Sequence, residues 1–462
     1  MKNKYNEGYY DLLRDAYEGT GGFKDGCYLI SYPRESPQKY GIRQKTAYYL
    51  NYFKPCVDAH VDPIFEKTPV REWSGNASDL WGIFIENVDV TGTNLDEFMK
   101  NTAQIAKNYG SAFVVMDSAK EQLAKSQLTL ADLAANRETL PYVYIVEPAR
   151  VIEIKSDRFG RLTYFAFAET DETDETKQNM RIMMPDKWEL RRGCSGISYG
   201  EIIEQGEWAL GLVPVIPVRS RITEPRDFFP ISEFYAIAKT NQHIFNACSW
   251  LSEILAGQTF PIITYPSSAP ENFDIGVNNA LCFNPESKHA PGFIAPPNGP
   301  SEAIASAIEA ARQECYRMAN VVNVTGVKTA ESGEAKAWDF KRTNQLLSMF
   351  SGILQSVEKK IADLFGLFVG AALEYTVKYP TDFAYADLST ELANAVIAKD
   401  LGFGEEFNVE VFKRVLTAYL SELAPEDFDA LVKAYKKEQS EMESNKAHAD
   451  PQTETVVVDE DE

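Results

Sequence analysis

The sequence predicts an α+β fold, in which a mixed N-terminal part precedes a series of long helices. Short apolar runs typical of strands alternate with amphipathic helical stretches before residue 230, and helical periodicity dominates after it. The 462 residues suffice for about two to four domains of ordinary size. Hydrophobic residues make up 44% and charged residues 25%, which is typical of a soluble globular protein and excludes global disorder.

The net charge restricts the possible partners. The chain has 46 Lys and Arg against 68 Asp and Glu, a net charge of −22. Such a surface repels phosphate backbones, which excludes a conventional DNA-binding protein with a basic stripe. The longest apolar stretches, such as 365–373, are shorter than the roughly 20 residues that span a bilayer, and residues 1–5 lack a secretion signal. We therefore expect a cytosolic protein without a membrane partner.

Residues 1–230 predict an α+β domain. Apolar residues at spacings of three and four predict a helix over 38–65, bent or split at Pro55, and a second over 94–109 that Asn94 can cap. Apolar and alternating runs predict strands at 111–117, 142–147, 150–155, 161–168, 179–184, 187–191 and 213–219. The acidic run 169–175 is predicted to be a solvated hairpin tip, since it lacks the spacing of a calcium-binding loop.

A proline-rich segment separates two predicted helices. The first helix covers 231–257, with Gly257 as its C-cap. Residues 258–300 contain eight prolines and two short strand-like pieces, at 260–265 and 280–283. This module is too small to bury a core of its own, so we expect it to need neighbours.

The second of these helices covers 301–321, with Ser301 as its N-cap. Ala303, Ala307 and Ala311 form a stripe of small residues, which suits close packing between copies or an ordinary core within one chain. Residues 322–335 are predicted to be a loop.

The last part of the chain is predicted to be helical with an acidic end. The longest helix is expected over 336–376, followed by helices at 387–399, 408–422 and 425–438. Eight acidic residues and one lysine over 441–462 predict a disordered tail. A near-heptad seam in the longest helix predicts core packing rather than a free coiled coil; it consists of Leu346, Phe350, Ile353, Val357, Ile361, Leu364 and Phe368.

No enzyme motif in the sequence has the context that its chemistry needs. The stretch 196–200 matches the GxSxG pattern, but a polar segment precedes it where that motif needs an apolar strand. Residues 326–329 resemble the end of a phosphate-binding loop without its upstream glycine. The six cysteines contain no CxxC pair, so zinc and thiol redox sites are not indicated. We therefore predict no catalytic residue, metal or cofactor.

The order of these segments resembles the portal protein family of tailed bacteriophages, which form the head-to-tail connector. The resemblance extends over nearly the whole chain, and each local piece is only weakly specific by itself. The stretches that carry it are 28–29 (YL), 40–43 (YGIR), 47–51 (AYYLN), 63–69 (PIFEKTP), 95–98 (LDEF), 109–117 (YGSAFVVMD), 146–148 (VEP), 238–241 (AKTN) and 329–332 (TAES).

The resemblance implies an assignment of each segment to a part of a portal. It implies a wing at 1–230, stem helices at 231–257 and 301–321, a clip at 258–300, a tunnel loop at 322–335, a long wing helix at 336–378 and a helical crown at 379–440.

It also implies a function and partners. A dodecameric ring at one capsid vertex of the virion, assembled in the host cytoplasm, would be the channel for DNA packaging and ejection. Its partners would be double-stranded DNA, the terminase large subunit, a head–tail adaptor, and the major capsid and scaffolding proteins. A strongly negative channel wall agrees with this, because a basic lining would hold the duplex.

Site residues follow from the resemblance alone. The implied DNA contacts of the tunnel loop are Asn323, Thr325, Lys328, Thr329 and Ser332; the implied terminase- or adaptor-facing residues of the clip are Asn272, Asp274, Lys288 and His289; the implied contacts between stems are Ala303, Ala307 and Ala311. Lys328 can equally be an ordinary surface lysine. Two other functions stay open: a different ring-forming connector or tail protein of the virion, and a cellular acidic scaffold protein.

Overall fold

The computed structural model describes most of the chain. The described residues are 5, 7–118, 137, 140–171, 174, 177–193, 200–259, 262–264, 292–294, 299–321, 333–383, 396–397, 405–419, 427–428 and 430–438. The chain divides into two compact units, Met1–Phe383 and Ala384–Glu462.

Short helices open the first unit: α1 Glu7–Glu18, α2 Gly21–Lys24, α3 Pro37–Thr46, α4 Phe53–Asp58 and α5 Asp62–Phe65. The helix predicted over 38–65 is therefore split into α3, α4 and α5, which is one of the two predicted alternatives, but the breaks are not at Pro55. Residues 47–52 leave the helical path, and a buried side chain from another helix, that of Asn241, accepts the N–H groups of Tyr52 and Phe53. Pro55 lies in the first turn of α4, where a missing N–H is tolerated.

The next elements are β1 (Val70–Ser74), α6 (Ser78–Glu86) and α7 (Leu95–Tyr109). The helix predicted over 94–109 is confirmed with its cap, since the Asn94 side chain accepts the N–H of Glu97 at 2.9 Å. Gly110 ends α7 in the left-handed region at φ +95°, and a Cβ there would lie 2.4 Å from the carbonyl oxygen of Pro230. Only glycine fits this position.

Two antiparallel sheets follow. Their strands are β2 Ser111–Asp117, β3 Tyr142–Val146, β4 Val151–Ser156, β5 Leu162–Thr170, β6 Gln178–Met183, β7 Lys187–Arg191, β8 Ile202–Glu207 and β9 Val215–Arg219. One sheet has the order β3-β2-β9 and the other the order β4-β5-β6-β7-β8. Every strand predicted between residues 111 and 219 is present, whereas β1 and β8 were not predicted. The mixture of helices and antiparallel sheets agrees with the α+β prediction.

A helix, a pair of short strands and a second helix come next: α8 Tyr235–Thr259, β10 Ile262–Thr264, β11 Gly292–Ile294 and α9 Gly299–Met318. Strand β10 pairs with β11, so the second strand-like piece predicted at 280–283 is not this partner and lies outside the described residues. Gly257 lies inside α8 rather than at a C-cap, and Ser301 lies in the first turn of α9 rather than at its N-cap.

The longest helix, α10, spans Gly333–Val369, and β12 spans Glu374–Lys378. The helix predicted to reach residue 376 is thus too long, and the segment 336–378 is not helical throughout. Alternate residues Tyr375 and Val377 of β12 are buried, because β12 pairs with β1 from the beginning of the chain. The helix also begins three residues inside the loop predicted over 322–335.

The first unit contains several apolar cores, and the two largest hold the long helices. The first contains side chains of α6, α7, one face of β2, α10 and β12, and we call it the sheet core. The second contains side chains of α1, α4, α8 and α9, and we call it the helix core. Phe350, Val357, Ile361 and Leu364 of the predicted seam are buried in the sheet core. The seam therefore packs inside one chain, as predicted.

The second unit contains α11, Glu405–Tyr419, and a helical segment over 430–438. The rings of Phe412 and Tyr435 stack at 4.1 Å between these two. Of the helix predicted over 387–399 only residues 396–397 are described, and the acidic tail 441–462 lies outside the described residues.

Candidate functional site

Helices α8 and α9 form an antiparallel pair that is the candidate site for assembly. At the far end of the pair, where α8 ends and α9 begins, the Gln258 amide lies 3.4 Å from the Ser301 hydroxyl. At the near end, Phe234 just before α8 and Ala319 just after α9 both pack in the helix core. One end of the pair is therefore held in the body of the unit, and the other end carries β10 and β11.

Asn241 fixes the near end of α8 to the N-terminal segment. Its side chain is fully buried, and its Oδ1 accepts the N–H groups of Tyr52 and Phe53, both at 3.0 Å. Its Nδ2 donates to the carbonyl oxygen of Leu50 at 2.9 Å, and the Tyr49 hydroxyl lies 3.0 Å from Oδ1. One amide thus satisfies the backbone of residues 50–53 where α3 and α4 are interrupted.

A buried ion pair holds the middle of α8. The Arg43 guanidinium makes two bonds to the Glu35 carboxylate, of 2.8 and 2.9 Å, and a third of 3.2 Å to Ser249 of α8. Asn246 accepts the N–H of Ile30 at 2.7 Å. These contacts seat α3 and the preceding loop on α8 with little freedom, because bidentate Arg–carboxylate pairs fix both distance and orientation.

The end of α9 is held by His60. The neutral imidazole donates from Nε2 to the carbonyl oxygen of Ala319, at 2.6 Å, and its ring packs edge-on to Phe234 at 5.3 Å. Burial, and next the positive charge of Lys107, lower the pKa of His60 to about 4. The histidine is therefore uncharged at neutral pH and contacts both the start of α8 and the end of α9, at the near end of the pair.

This depressed pKa predicts a pH-dependent stability. An unfolded histidine titrates near 6.5, so between about pH 6.5 and pH 4 the unfolded chain binds more protons than the folded chain, and stability falls as pH falls. From pH 7 to pH 5 the loss is about 2 kcal/mol. We expect the melting temperature, at fixed protein concentration, to fall less over this range in His60→Gln than in the wild type. The exposed control His243→Gln should keep the wild-type slope; equal slopes in all three would contradict the assignment.

Lys107 of α7 joins the segment just before α8 to the sheet core. Its side chain is only 2% exposed, and its ammonium is 2.9 Å from Glu233 and 3.1 Å from the carbonyl oxygen of Ser220. The ammonium also lies 4.4 Å from the ring centre of Phe350 on α10. Burial lowers the pKa of Lys107, and the neighbouring Glu233 opposes that shift. This lysine therefore connects α7 and α10 with the residues just after β9 and just before α8.

A second buried charge fixes α10 to the strand pair β1–β12. The carboxylate of Glu358 is fully buried and accepts from Arg71 at 2.7 Å, from Tyr379 at 2.5 Å and from Tyr375. Arg71 also binds Asp96 at 2.6 Å. Burial and the adjacent carboxylate raise the pKa of both tyrosines above the ordinary value, so they stay protonated and donate.

The far end of the helix pair exposes small and apolar side chains. Leu255 is 47% exposed, and Ala303 and Ala307 are exposed as well. Ala311, the third member of the predicted stripe, is half-buried and packs on the helix core of its own chain. The stripe is thus divided: its first two members are available to another chain, and its last contributes to the fold.

The remaining predicted contact residues belong to segments that the structure does not describe. The implied DNA contacts Asn323, Thr325, Lys328, Thr329 and Ser332 lie outside the described residues, and so do the implied clip contacts Asn272, Asp274, Lys288 and His289.

The described residues hold no assembled metal or membrane site. None of their His, Cys, Asp and Glu side chains form a group of three that could bind a metal ion. Within the described ranges, every helix is too short or too polar to span a bilayer. Cys56 and Cys315 are free thiols, and burial raises the pKa of each to about 12.

The buried polar anchors were missed as functional residues by the sequence interpretation. A signal for them exists: Asn241 and Glu358 each lie on the apolar stripe of a long helix, where a polar residue needs a partner. The partners could not be named, because Arg71 is 287 residues away from Glu358 and Phe53 is 188 residues away from Asn241.

Comparisons with known proteins give similarity at the level of structure only. No model of a protein family matches the chain, and no curated protein matches it. Solved structures of a gene transfer agent (GTA) particle do match. A chain of the virion of the native particle has 12% identity and a TM-score of 0.42, with 93% of this chain and 94% of that chain covered.

Two neck structures of the GTA particle match similarly. A chain of the neck of the empty particle, computed with C6 symmetry, has 11% identity and a TM-score of 0.44, with 82% of this chain and 89% of that one covered. A chain of the neck of the native particle, computed with C12 symmetry, has 12% identity and a TM-score of 0.40, with 90% and 98% covered. The chain is thus similar along most of its length to chains of the GTA particle, at TM-scores below 0.5 that do not decide its function.

Proposed function

We propose that the chain is the subunit of a portal-type ring, the connector at one capsid vertex through which duplex DNA enters and leaves the capsid. The observation that carries the proposal is the antiparallel pair α8–α9. The pair is anchored in the body at one end by Asn241 and His60 and exposes Leu255, Ala303 and Ala307 at the other.

Packing between copies explains this exposure. A two-helix extension that stands alone exposes the apolar and small side chains at its tip to water. Association with another copy would bury them, since small residues let helix backbones approach closely and exclude water. A ring of twelve such pairs would enclose a channel. The clip 258–300 would then contact the terminase large subunit and the head–tail adaptor, and the loop 322–335 would face DNA.

The charge of the chain supports a passage rather than a binding site for DNA. With a net charge of −22 per subunit, a closed ring repels a duplex from its wall. The duplex can then move through the ring without being held by phosphate contacts. The proposed role needs no catalytic step by this chain. Its place is the virion, after assembly with capsid and scaffolding proteins in the host cytoplasm.

The test is negative-stain electron microscopy of the purified chain, with class averages viewed down the symmetry axis. Rings of about twelve subunits, with a central hole wide enough for a duplex, would support the proposal. A uniform monomer or dimer that persists at high protein concentration would overturn it in favour of a cellular acidic scaffold. A closed ring without a duplex-sized hole would favour another virion connector or tail protein.

A substitution at the helix tip tests where the copies pack. We expect Ala307→Arg to abolish rings in the same images, because a long charged side chain cannot fit where two helices meet at a small residue. Ala305→Arg is the matched control, since Ala305 is also exposed on α9 but lies about 160° away around the helix. Rings formed equally well by both variants would show that the Ala303–Ala307 face is not at the interface.

A further inference from the structure

Two loops that touch each other expose large apolar side chains. The turn between β4 and β5 contains Phe159, which is 61% exposed, and the loop after β9 contains Ile222, which is 77% exposed. A Cβ built on Gly160 would lie 2.8 Å from the carbonyl oxygen of Pro225, so the two loops are in contact there. Consecutive Cα atoms are about 3.8 Å apart, and the Cα atoms of Phe159 and Ile222 therefore lie within about 12 Å of this contact.

Three exposed arginines lie on the same two loops. The guanidinium of Arg158 is 4.5 Å from the ring centre of Phe159, and that of Arg161 is 5.8 Å from it. Arg226 is exposed on the second loop. Within the part of the chain that the structure describes, no ion pair engages any of these three arginines. We define the basic patch by its five exposed members, Arg158, Phe159, Arg161, Ile222 and Arg226.

The charge of these loops is opposite to that of the whole chain. Residues 155–161 contain three basic side chains and one acid, a net charge of +2. Residues 219–227 contain three basic side chains and two acids, a net charge of +1. Together they carry +3 in a chain of −22. The acids included in this count are Asp157, Glu224 and Asp227.

Hydrogen bonds within each loop fix its backbone. The carboxylate of Asp157 accepts the N–H of Phe159 at 2.8 Å, which closes the first turn. In the second loop, Arg219 donates to the carbonyl oxygen of Asp227 at 2.8 Å and to that of Pro225 at 2.7 Å. A partner therefore meets a backbone that is already arranged, which lowers the entropy cost of docking.

A protein segment with apolar side chains next to acids fits this patch better than nucleic acid does. Arginine and large apolar side chains are typical of the centre of protein interfaces. The backbone of a duplex offers phosphates to the arginines but leaves Phe159 and Ile222 without an apolar surface to bury. The net charge of the chain also opposes the approach of a duplex.

The chain itself contains a segment of this chemistry. Residues 456–458 are three valines, and residues 459–462 are four acids. Valine favours an extended backbone, in which Val456 and Val458 would lie on one side. Residues 439–455 connect this segment to the helical segment 430–438, and when extended they span up to about 60 Å. The segment is thus long enough in its reach to meet another copy.

We propose that the segment 456–462 of one copy docks on the basic patch of another copy. The valines bury Phe159 and Ile222, and the acids pair with the three arginines. Each copy offers one segment and one patch, so the contact joins copies head to tail. This contact goes beyond the proposed ring and does not depend on it, because two separate copies can form it.

Photo-cross-linking of the full chain tests the contact. In copies grown with heavy nitrogen, Phe159 is replaced by p-benzoylphenylalanine; these copies are mixed with unlabelled wild type, irradiated, digested and analysed by mass spectrometry. We expect a heavy peptide with position 159 joined to a light peptide with residues 456–462. The matched control carries the same photo-reactive group at Ile203, which is 42% exposed on β8 towards the opposite end of the sheet. It should not cross-link to the segment.

Charge exchange gives an independent measurement. We expect Arg158→Glu with Arg161→Glu in the heavy copies to lower the yield of this cross-link about tenfold, because two attractive pairs become repulsive. Asp459→Lys with Glu460→Lys in the light copies should restore it. Arg192→Glu is the matched control, an exposed arginine just after β7 at the opposite end of the sheet, and should leave the yield unchanged. An unchanged yield in the double arginine variant, or no rescue by the lysines, would contradict the docking.

The outcomes separate this inference from the proposed function. Rings in the electron microscope without the cross-link would overturn the docking and leave the portal proposal standing. A chain that forms no rings but gives the heavy–light cross-link would do the reverse. Cross-links only between peptides of equal label, or only to another segment, would overturn the docking between copies. Loss of the cross-link on addition of an equimolar short DNA duplex would overturn it in favour of a nucleic acid partner.

Discussion

Replacing Glu358 with alanine is expected to lower the free energy of unfolding of the first unit by about 3–5 kcal/mol. The carboxylate is fully buried and pairs with Arg71 at 2.7 Å. Its removal takes the buried carboxylate away from the Arg71 guanidinium, which keeps its bond to Asp96, and takes the acceptor away from the hydroxyls of Tyr375 and Tyr379. Alanine favours helix more than glutamate does, so the loss cannot be attributed to the intrinsic stability of α10.

Two further variants make the Glu358 prediction specific. Glu358→Gln keeps the size and one acceptor oxygen but removes the charge, so we expect a smaller loss than for alanine. Glu374→Ala removes an exposed acid from β12, close in sequence, and should cost less than about 1 kcal/mol. Chemical denaturation at fixed protein concentration measures all three. A loss in Glu358→Ala no larger than in Glu374→Ala would show that the cluster contributes nothing to stability.

The sequence interpretation extended the longest helix too far. It missed a local stop signal, because Gly370 directly follows Val369 in the left-handed region at φ +68° and ends α10. The strand β12 forms because it pairs with β1, which lies about three hundred residues earlier in the chain, with Glu374 opposite Ser74. The hydroxyls of Tyr375 and Tyr379 also donate hydrogen bonds to Glu358. No short window of the sequence contains both partners of such a contact, so local patterns cannot predict it.

The same reason separates the correct N-terminal predictions from the incorrect one. The strand Ser111–Asp117 is buried on both faces. Its continuous apolar run is a local signal that predicts a buried strand without knowledge of its neighbours. The helix Leu95–Tyr109 carries its own cap at Asn94 and its own stop at Gly110. The interruption at residues 47–52 has no such local cause, because its backbone partner comes from α8.

The candidate site was predictable in part. The small-residue stripe was found from helical spacing, and two of its members, Ala303 and Ala307, are exposed. Spacing alone could not separate them from Ala311, which packs on its own chain, because that depends on where α9 enters the helix core. The groove between the end of β1 and α6, where Trp73 and Gly82 are among the lining residues, was not predicted, since it depends on how these two elements come together.

Asn241→Ala is expected to cost about 2–4 kcal/mol of unfolding free energy and to weaken ring assembly. The substitution leaves the buried N–H of Phe53 without its acceptor and removes one bond each from the N–H of Tyr52 and the carbonyl oxygen of Leu50, which stay bonded to each other at 3.1 Å. Alanine is again the better helix former, so α8 itself should stay helical. The loss should therefore appear at the junction of α8 with residues 47–53.

Hydrogen exchange locates the effect of Asn241→Ala. The amide of Phe53 should lose protection far more than those in the middle of β2, which do not depend on this contact. His243→Ala, two residues further along α8 and exposed, should change neither stability nor exchange. If the amide of Phe53 stays protected in Asn241→Ala, the side chain is not its acceptor. If it opens and rings still form, the near end of α8 need not be rigid for assembly, and the interface rests on the helix tips alone.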